Sequence, residues 1–272
     1  MWTASVERWQ LMHFGIMAQE IIDKSDFSGK IGVILGSGLS NICREVEPIS
    51  IIPYSDLSNF PISTVEGHKS EMLIGLLDEV EIIIASGRFH YYEGYSFHEV
   101  TSVVKLFHEL GIENIIITNS SGALNKSFSP GELMVVTGHM DCTYRHSSID
   151  PKLYNGIPYY DSGLMELSFE CAKKMGINLR DGNYCWTQGP SYETPAEVQE
   201  LINLGGDAVG MSTVPEIIAS GEFGIRTLVL SCLTNMAAGI TNKPLSHIDV
   251  VKMAKKSSKD ISRLILGLVQ EL

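Results

Sequence analysis

Short apolar runs alternate along this chain with longer stretches in which apolar residues recur at helical spacing. Runs of about four to eight apolar residues are typical of buried strands, and recurrence at i, i+3 and i+4 is typical of a helix that packs on one face. The runs predict strands at 30–35, 72–77, 80–85, 114–118, 133–137, 183–188, 208–211 and 227–233. The periodic stretches predict helices at 5–23, 96–110 and 162–175, two helices that begin near 194 and 213, and a last helix from 246 to about 269. This alternation indicates a single α/β domain over residues 1–272, with a helical segment at 1–25 and a largely buried, mostly parallel sheet.

Several of these helices carry recognisable boundary signals. A serine or threonine followed three residues later by an acidic residue is a capping pattern, and it occurs at 96–99, 194–197, 213–216 and 246–249. Glycine is a common helix terminator, and Gly111 and Gly176 stand where two of the helices should end. Residues 54–69 and 140–160 are predicted to be loops.

Polar side chains follow the predicted strands at the point where each strand ends. If these strands are parallel, their carboxyl ends lie along one edge of the sheet, which is where open α/β sheets bind their ligands. The groups concerned are Ser37, residues 88–92, residues 119–121, Tyr192 with Glu193, Met211 with Ser212, and Asn235. The sequence therefore predicts one ligand site that draws on most of the chain.

Part of this edge is suited to an anion. A glycine-rich turn, Gly36-Ser37-Gly38, lets backbone N–H groups and a hydroxyl hold an oxyanion, although an ordinary tight turn would have the same sequence. Arg88 and His90 add donors, or else form a salt-bridged surface loop. Ser212 precedes a helix start, where it could bind an anion or only cap the helix. Dinucleotide and P-loop fingerprints are absent, so a small inorganic anion fits better than a nucleotide diphosphate.

Another part is suited to a heterocycle. Glu193 also precedes a helix start, and an ionised carboxylate there can accept hydrogen bonds from ligand N–H groups or simply stabilise the helix dipole. Asn235 ends a buried strand with a side chain that both donates and accepts, so it is either a base-recognition residue or a turn residue. His68 and His247 are ambiguous between ligand groups and surface histidines.

Composition restricts the partners. The net charge of −12 argues against nucleic acid or an anionic membrane surface as the main partner. Five scattered cysteines without a C-x-x-C pair indicate reduced packing residues of a cytoplasmic protein, not a disulfide framework or a zinc site. We find neither an apolar run long enough for a membrane span nor a signal-peptide pattern at residues 1–10.

Seven segments, in this order, resemble the trimeric class of purine nucleoside phosphorylases. They contain Gly36-Ser37-Gly38-Leu39, the 60–68 loop that ends in His68, the 87–95 loop around Arg88 and His90, Thr118-Asn119, Gly189-Pro190-Ser191-Tyr192-Glu193-Thr194, the 210–216 segment around Ser212, and Thr234-Asn235. The resemblance implies a doubly wound mixed sheet flanked by helices, and a homotrimer. It implies phosphorolysis of inosine, guanosine and their deoxy forms in purine salvage, with inorganic phosphate as co-substrate and no metal or organic cofactor.

The resemblance also implies roles for individual residues. Phosphate would contact Ser37, His68, Arg88, Phe89, His90, the backbone at Ser120, and Ser212. The nucleoside would contact Tyr92 and Met211 at the ribose, His247 near the 5′-hydroxyl, Tyr192 at the purine face, Glu193 at N1–H and Asn235 at N7 and O6. Tyr154 is the candidate for an aromatic side chain that reaches a neighbouring subunit's ribose site. Asn235, Glu193 and His90 would be the catalytic residues.

Two features set this chain apart from the family pattern, and three other functions remain open. Many relatives carry small apolar residues where Ser120 and Ser121 stand, and the loop around Tyr154 matches poorly. A methylthioadenosine phosphorylase usually has other residues at the positions of Glu193 and Asn235, so these two speak against it. A non-catalytic purine-binding protein would not need an anion site, and a dinucleotide-dependent oxidoreductase is disfavoured by Asn41, which stands where a third glycine is required.

Overall fold

A mixed β-sheet flanked by helices runs through this computed structural model, which describes residues 2–65, 68–145, 149–241 and 247–272. The strands are β1 (Ile31–Ile34), β2 (Glu47–Pro53), β3 (Glu71–Leu77), β4 (Val80–Ser86), β5 (Asn114–Ala123), β6 (Leu133–Asp141), β7 (Tyr154–Asn155), β8 (Leu179–Trp186), β9 (Ala208–Gly210) and β10 (Arg226–Met236). The helices are α1 (Trp2–Ser25), α2 (Phe97–Val100), α3 (Ser102–Glu109), α4 (Ser162–Met175), α5 (Pro195–Asn203), α6 (Val214–Glu222) and α7 (His247–Gln270). This is the α/β architecture that the sequence predicts.

The sheet has an open half and a closed half that share β5. In the open half the order is β2, β3, β4, β1 and β5. In the other half, β5 pairs with both β9 and β10, and the pairings β9–β8, β8–β6 and β6–β10 complete a circuit of strands. Closing a sheet on itself satisfies backbone groups that an edge strand would leave unpaired.

Strand directions explain how the polar strand ends meet. The neighbours β4, β1, β5 and β10 are parallel, so their carboxyl ends lie at one edge as predicted. In contrast, β9 is antiparallel to β5, with Val209 opposite Gly122. Because β5 continues past Ile117, its last residue paired with β1, β9 runs back alongside this extension and delivers its own carboxyl end to the same place. Among the described pairings antiparallel ones are as frequent as parallel ones, so the sheet is more evenly mixed than the apolar runs suggested.

The centre of the sheet is buried on both faces, which explains why its central strands are continuous apolar runs. On β5, Ile115 and Ile117 belong to the core that includes Phe107 of α3, whereas Ile116 belongs to the core that includes Leu264 of α7. Successive side chains of a strand point to opposite faces, so an unbroken Ile-Ile-Ile run fits only a strand that is covered on both sides.

Several predicted boundaries changed in the structure. The helix predicted at 96–110 is two helices, interrupted at Thr101, whose hydroxyl donates to the carbonyls of Phe97 and His98. Strand β2 was not predicted because most of its side chains are exposed, and β7 lies within the predicted 140–160 loop. The capping boxes at Ser96 and Thr194 form as predicted.

The predicted capping box at 213–216 does not form. Thr213 has a φ of 80° and makes no side-chain capping bond, and Glu216 is buried instead of reaching back to the helix start. The cap predicted at Ser246 lies outside the described residues. None of the helices in the described ranges is long and apolar enough to span a membrane.

Candidate active site

A cavity of about 340 Å³ opens where β1, β4, β5, β9 and β10 end. Its lining combines hydroxyl groups, one guanidinium, one imidazole, one carboxylate and one amide with aromatic and aliphatic side chains. The residues are Gly36, Ser37, Val65, Arg88, His90, Tyr92, Ser120, Ser121, Gly122, Pro190, Tyr192, Glu193, Val209, Gly210, Met211, Ser212, Thr234, Asn235, Ala237 and Val250. All six polar groups predicted from the strand ends are therefore present in one cavity.

The turn after β1 is built for close approach to β5. A Cβ at Gly36 would lie 2.8 Å from the Cα of Asn119, so a larger residue would push the two segments apart. The Gly36 N–H donates to the Thr118 hydroxyl at 3.1 Å, and the Ser120 hydroxyl donates to the Ser37 carbonyl at 3.0 Å. These bonds fix Ser37 at the floor of the cavity. They also give the Ser120 hydroxyl a structural role, because its proton is used within the protein.

His68 determines which way the Ser37 hydroxyl can donate. The Arg88 backbone N–H donates to His68 Nδ1 at 3.3 Å, so Nδ1 is an acceptor and Nε2 carries the ring proton. Burial, and then the charges of His90 and Arg88, lower the pKa of His68 to about 3, which keeps the ring neutral. Nε2–H therefore donates to Ser37 Oγ at 3.1 Å, and the Ser37 proton remains available to a ligand.

Arg88 is held from behind by a carboxylate. Its side chain and that of Glu216 are 2% and 3% exposed, and Nη2 of Arg88 lies 3.2 Å from Oε2 of Glu216. Nε of Arg88 donates to Oε1 of Glu216 at 3.3 Å, and Nη1 donates to the hydroxyls of Ser212 and Thr213, each at 3.3 Å. Burial raises the pKa of Glu216, and the guanidinium opposes that rise. Nε and Nη2 of Arg88, which could have bound an anion through two hydrogen bonds, are thus directed at Glu216, and Nη1 lies beside Ser212.

His90 is oriented by Glu93, three residues later. The carboxylate accepts from Nδ1 and from the backbone N–H of His90, both at 2.9 Å, and from the N–H and hydroxyl of Thr64 at 2.6 and 2.8 Å. Burial raises the pKa of Glu93, but these hydrogen bonds outweigh burial and lower it to about 2. Burial likewise lowers the pKa of His90, and the bond to Glu93 counteracts this. With Nδ1 engaged, Nε2 is the ring nitrogen left for a ligand.

Another part of the cavity lining consists of a carboxylate and an amide. Thr187, just after β8, donates its hydroxyl to Oε1 of Glu193 at 2.6 Å. The Thr234 hydroxyl donates to Oδ1 of Asn235 at 2.9 Å, and Nδ2 of Asn235 donates to the Met236 carbonyl at 3.0 Å. Each side chain is therefore positioned by a neighbour and still has acceptor or donor capacity for a ligand.

Aromatic and thioether groups also line the cavity. Tyr92 stacks on His90 with ring centroids 4.7 Å apart, and Tyr192 is 40% exposed at the rim. Met211 packs so closely on Gly189 that a Cβ there would lie 2.5 Å from its sulfur atom. These groups offer apolar surface to a flat ring or a sugar.

Two of the predicted site residues lie elsewhere. Phe89 does not line this cavity: its ring is 3% exposed and packs on Tyr54, Phe60 and Tyr95. Tyr154 is not in the cavity either, since it lies on β7, 40% exposed and stacked on His139. The proposed contact of Tyr154 with a neighbouring subunit remains a prediction.

The side chain of His247, at the start of α7, lies outside the described residues. His68 contributes through Ser37, as described above.

Sequence reasoning missed the partners that orient the predicted groups. Glu216 was assigned to a helix cap, and Glu93, Thr187 and Thr213 were given no role in orienting other side chains. A signal existed for Glu93, which follows His90 by three residues. Nothing in the sequence pairs Glu216 with Arg88, because 128 residues separate them.

A search against protein families finds a match over residues 30–270 to the model described as the phosphorylase superfamily. The chain belongs to the phosphorylase superfamily. Within it, the resemblance to purine nucleoside phosphorylases is confirmed. Purine nucleoside phosphorylase 1 of Geobacillus stearothermophilus is 42% identical over 94% of this chain and 96% of its own length. The Mus musculus purine nucleoside phosphorylase is 33% identical, over 94% of this chain and 93% of its own.

Solved structures agree with this assignment. Isoform 2 of the Schistosoma mansoni purine nucleoside phosphorylase, in complex with cytosine and ribose-1-phosphate, superposes with a TM-score of 0.87 and 29% identity over 96% of each chain. A schistosoma purine nucleoside phosphorylase in complex with hypoxanthine gives a TM-score of 0.85 and 27% identity, over 94% of this chain and 95% of that one. The sheet and its flanking helices are those of the phosphorylase fold.

Proposed function

We propose that this protein catalyses phosphorolysis of purine nucleosides, in which inorganic phosphate replaces the base at C1′ of the sugar. The protein is an enzyme of the purine nucleoside phosphorylase type, as its relatives' names and its family match indicate. The observation that carries the proposal is that one cavity contains both an anion-binding set around Arg88 and Ser212 and a base-binding pair, Glu193 and Asn235. A sensor of free purines would have no use for the first set.

We assign phosphate to the end of the cavity at Ser37, His90 and Ser212. The Ser37 hydroxyl proton is free to donate because His68 already donates to its oxygen. His90 Nε2 suits a phosphate ion in particular, because phosphate can either accept from a protonated imidazole or donate its own O–H to a neutral one. Arg88 supplies positive charge, which Glu216 partly offsets.

We assign the purine to Glu193 and Asn235. As the bond between C1′ and N9 lengthens, the sugar gains oxocarbenium character and the base gains negative charge. Asn235 and Glu193 stabilise that charge more strongly in the transition state than in the ground state, which lowers the barrier. Phosphate then attacks C1′ from the opposite face and forms ribose 1-phosphate with inverted configuration, and the base leaves with the bonding electron pair. Positioning of the two reactants supplies much of the rate.

The base contacts favour 6-oxopurine nucleosides. Inosine and guanosine carry a hydrogen on N1 that an ionised Glu193 can accept, whereas adenosine presents a bare lone pair at that position. Facing two acceptors toward each other leaves the ligand-facing oxygen of a partly buried carboxylate without a donor, which disfavours adenosine.

We further propose a cytoplasmic homotrimer in purine salvage that needs phosphate and no other cofactor. The resemblance to the trimeric phosphorylases supports this assembly, and the exposed Leu153 and Tyr154 on the loop around β7 offer it an apolar surface. Sedimentation of the wild type would test the trimer. Sedimentation of Tyr154→Ala, together with its KM for inosine, would test the intersubunit role of Tyr154, since such a variant should keep its mass and lose nucleoside affinity.

The main experiment incubates the enzyme with inosine, guanosine, adenosine or methylthioadenosine, with and without phosphate, and measures released base. We expect phosphate-dependent release from inosine and guanosine. Preferential cleavage of methylthioadenosine would reassign the enzyme, and binding without any cleavage would make it a sensor.

Two asparagine variants show whether the measured activity comes from this protein or from a contaminating phosphorylase of the expression host. Asn235→Ala should lose the activity. Asn203→Ala should keep it, because Asn203 is exposed at the end of α5, where it only accepts a bond from Gln199.

A further inference from the structure

A chain of side-chain hydrogen bonds runs beside the cavity from Ser121 on β5, through β10, to the start of α6. Ser121 Oγ lies 2.6 Å from Ser231 Oγ, which donates to Oδ1 of Asn119 at 2.6 Å. Nδ2 of Asn119 donates to Thr213 Oγ1 at 3.0 Å, and Thr213 Oγ1 lies 3.1 Å from Ser212 Oγ. Ser121, Ser231, Asn119 and Thr213 are all at least nine-tenths buried, so water cannot replace these bonds.

The bond lengths define the orientation of the Asn119 amide. A separation of 2.6 Å suits an O–H···O bond, and 3.0 Å suits an N–H···O bond. The amide oxygen therefore faces Ser231 and the NH2 group faces Thr213. Since Ser231 uses its proton on Asn119, the Ser121 hydroxyl is the donor to Ser231.

This orientation determines the direction of the remaining bonds. Thr213 Oγ1 accepts from Asn119 Nδ2 and from Arg88 Nη1, which uses both of its lone pairs. The Thr213 proton must then be donated, and among the hydrogen-bonded neighbours of Thr213 Oγ1 only Ser212 Oγ, at 3.1 Å, can accept it. Ser212 Oγ also accepts from Arg88 Nη1, so its own proton is left to point into the cavity that Ser212 lines.

If every hydrogen bond in this series ran in the opposite direction, Ser212 would face the ligand as an acceptor and not as a donor. If the Asn119 amide turned over, its oxygen would accept from Thr213, and the Ser212 proton would be drawn toward Thr213. Ser212 would then present lone pairs to an anion, which is repulsive. The 2.6 Å separation between Ser231 Oγ and Asn119 opposes this reversal, because it is shorter than an N–H···O bond from the amide NH2 group to Ser231 would be.

We infer that Ser231, Asn119 and Thr213 are positioning residues that keep the Ser212 hydroxyl as a donor to the anionic substrate. This rests on the proposed function, in which phosphate binds beside Ser212. The backbone at Thr213 supports the assignment, since a threonine with φ of 80° is a strained conformation of the kind found at functional sites. Within this series of hydrogen bonds only Ser212 contacts phosphate, and the other members act through it.

The test is Ser231→Ala, which removes the hydrogen bond that orients the Asn119 amide. Ser231 itself does not line the cavity. We expect the KM for phosphate to rise about five- to tenfold, as for the weakening of one hydrogen bond to a charged ligand. The KM for inosine should stay within about twofold of the wild type. Phosphate should also raise the Tm of the variant less than it raises that of the wild type. Ser231→Thr, which restores the hydroxyl, should recover phosphate affinity.

The control is Ser168→Ala, which removes another fully buried serine hydroxyl that only donates to the Met165 carbonyl within α4. It should change neither KM. If Ser231→Ala does not fold, Thr213→Val removes the donor to Ser212 with little change of shape and should produce the same rise. An unchanged phosphate KM in an active variant, or a parallel rise of both KM values, would overturn the inference. A wild type without phosphate-dependent base release would instead overturn the proposed function.

Discussion

The hydroxyl of Thr187 should determine how well the enzyme recognises 6-oxopurines. It donates to Oε1 of Glu193 at 2.6 Å, while the Thr187 backbone N–H separately donates to the Gly210 carbonyl at 2.9 Å. Thr187→Val keeps the branched shape and the backbone bond. It removes the 2.6 Å hydrogen bond that orients the carboxylate, together with a longer contact of the hydroxyl with the Gly210 carbonyl at 3.4 Å. The perturbation therefore acts mainly on the position and orientation of Glu193.

The magnitude follows from the charge of the acceptor. A hydrogen bond to a charged group contributes about 1.5–3 kcal/mol, and about 1.4 kcal/mol corresponds to a factor of ten. Because Glu193 can regain part of this from water in the free enzyme, we expect the lower end of that range. The kcat/KM for inosine and guanosine should fall about tenfold. The value for adenosine should change less, since adenosine gives Glu193 no N1–H to accept, and the preference for inosine should narrow accordingly.

The assay compares kcat/KM for inosine, guanosine and adenosine at saturating phosphate. Thr137→Val serves as the control, because that hydroxyl donates to the Gly182 carbonyl on the neighbouring strand and lies outside the cavity. A Thr187→Val enzyme within about twofold of the wild type on all three substrates would refute the positioning role of Thr187. An equal loss on all three would show that the residue supports the fold and not base recognition.

Three further substitutions test the two ends of the cavity. Glu193→Ala should lower kcat/KM for inosine by about 10²-fold or more, since it removes a charged contact to N1–H; a near-wild-type rate would contradict that role. Asn235→Asp should weaken discrimination against adenosine, and an unchanged ratio of the inosine and adenosine rates would count against the assignment. Glu93→Gln should raise the KM for phosphate by releasing His90. It should also lower the free energy of unfolding at pH 7 by about 2 kcal/mol. This figure follows from the shift of the Glu93 pKa from 4.5 to about 2, reduced for solvent screening.

The sign of the pH effect makes the Glu93 prediction more specific. A carboxylate whose pKa is lower in the folded state stabilises the fold above its unfolded pKa, near 4.5, and this contribution disappears as the pH falls through about 2. The difference in unfolding free energy between wild type and Glu93→Gln should therefore be constant from neutral pH to about pH 5 and shrink below that. A difference that stays constant into the acid range would show that Glu93 is not held ionised by His90 and Thr64.

The two serines that distinguish this chain from the family pattern have structural partners. Ser120 donates to the Ser37 carbonyl, and Ser121 is the first donor of the chain that ends at Ser212. Both line the cavity, but both protons are used within the protein. We therefore expect them to affect the anion through Ser37 and Ser212, not by direct donation to it.

Local sequence determined a large part of this protein. Short apolar runs such as Ile115-Ile116-Ile117 indicated strands buried on both faces, and the polar residues directly after such runs were then expected at strand ends. Glu193 and Asn235 were found in this way, as were Ser37 and Arg88, because the signal for each lies within a few residues of it.

Tertiary structure alone decided how these groups are oriented. The direction of β9 relative to β5 depends on pairing between distant segments, and it brings Met211 and Ser212 to the cavity from an antiparallel strand. The partner of Arg88 lies on α6, and the acceptor of the Ser231 hydroxyl lies on β5, 112 residues away in sequence. Hydrogen-bond direction depends on which donors and acceptors meet in the folded chain, and no local pattern of residues contains that information.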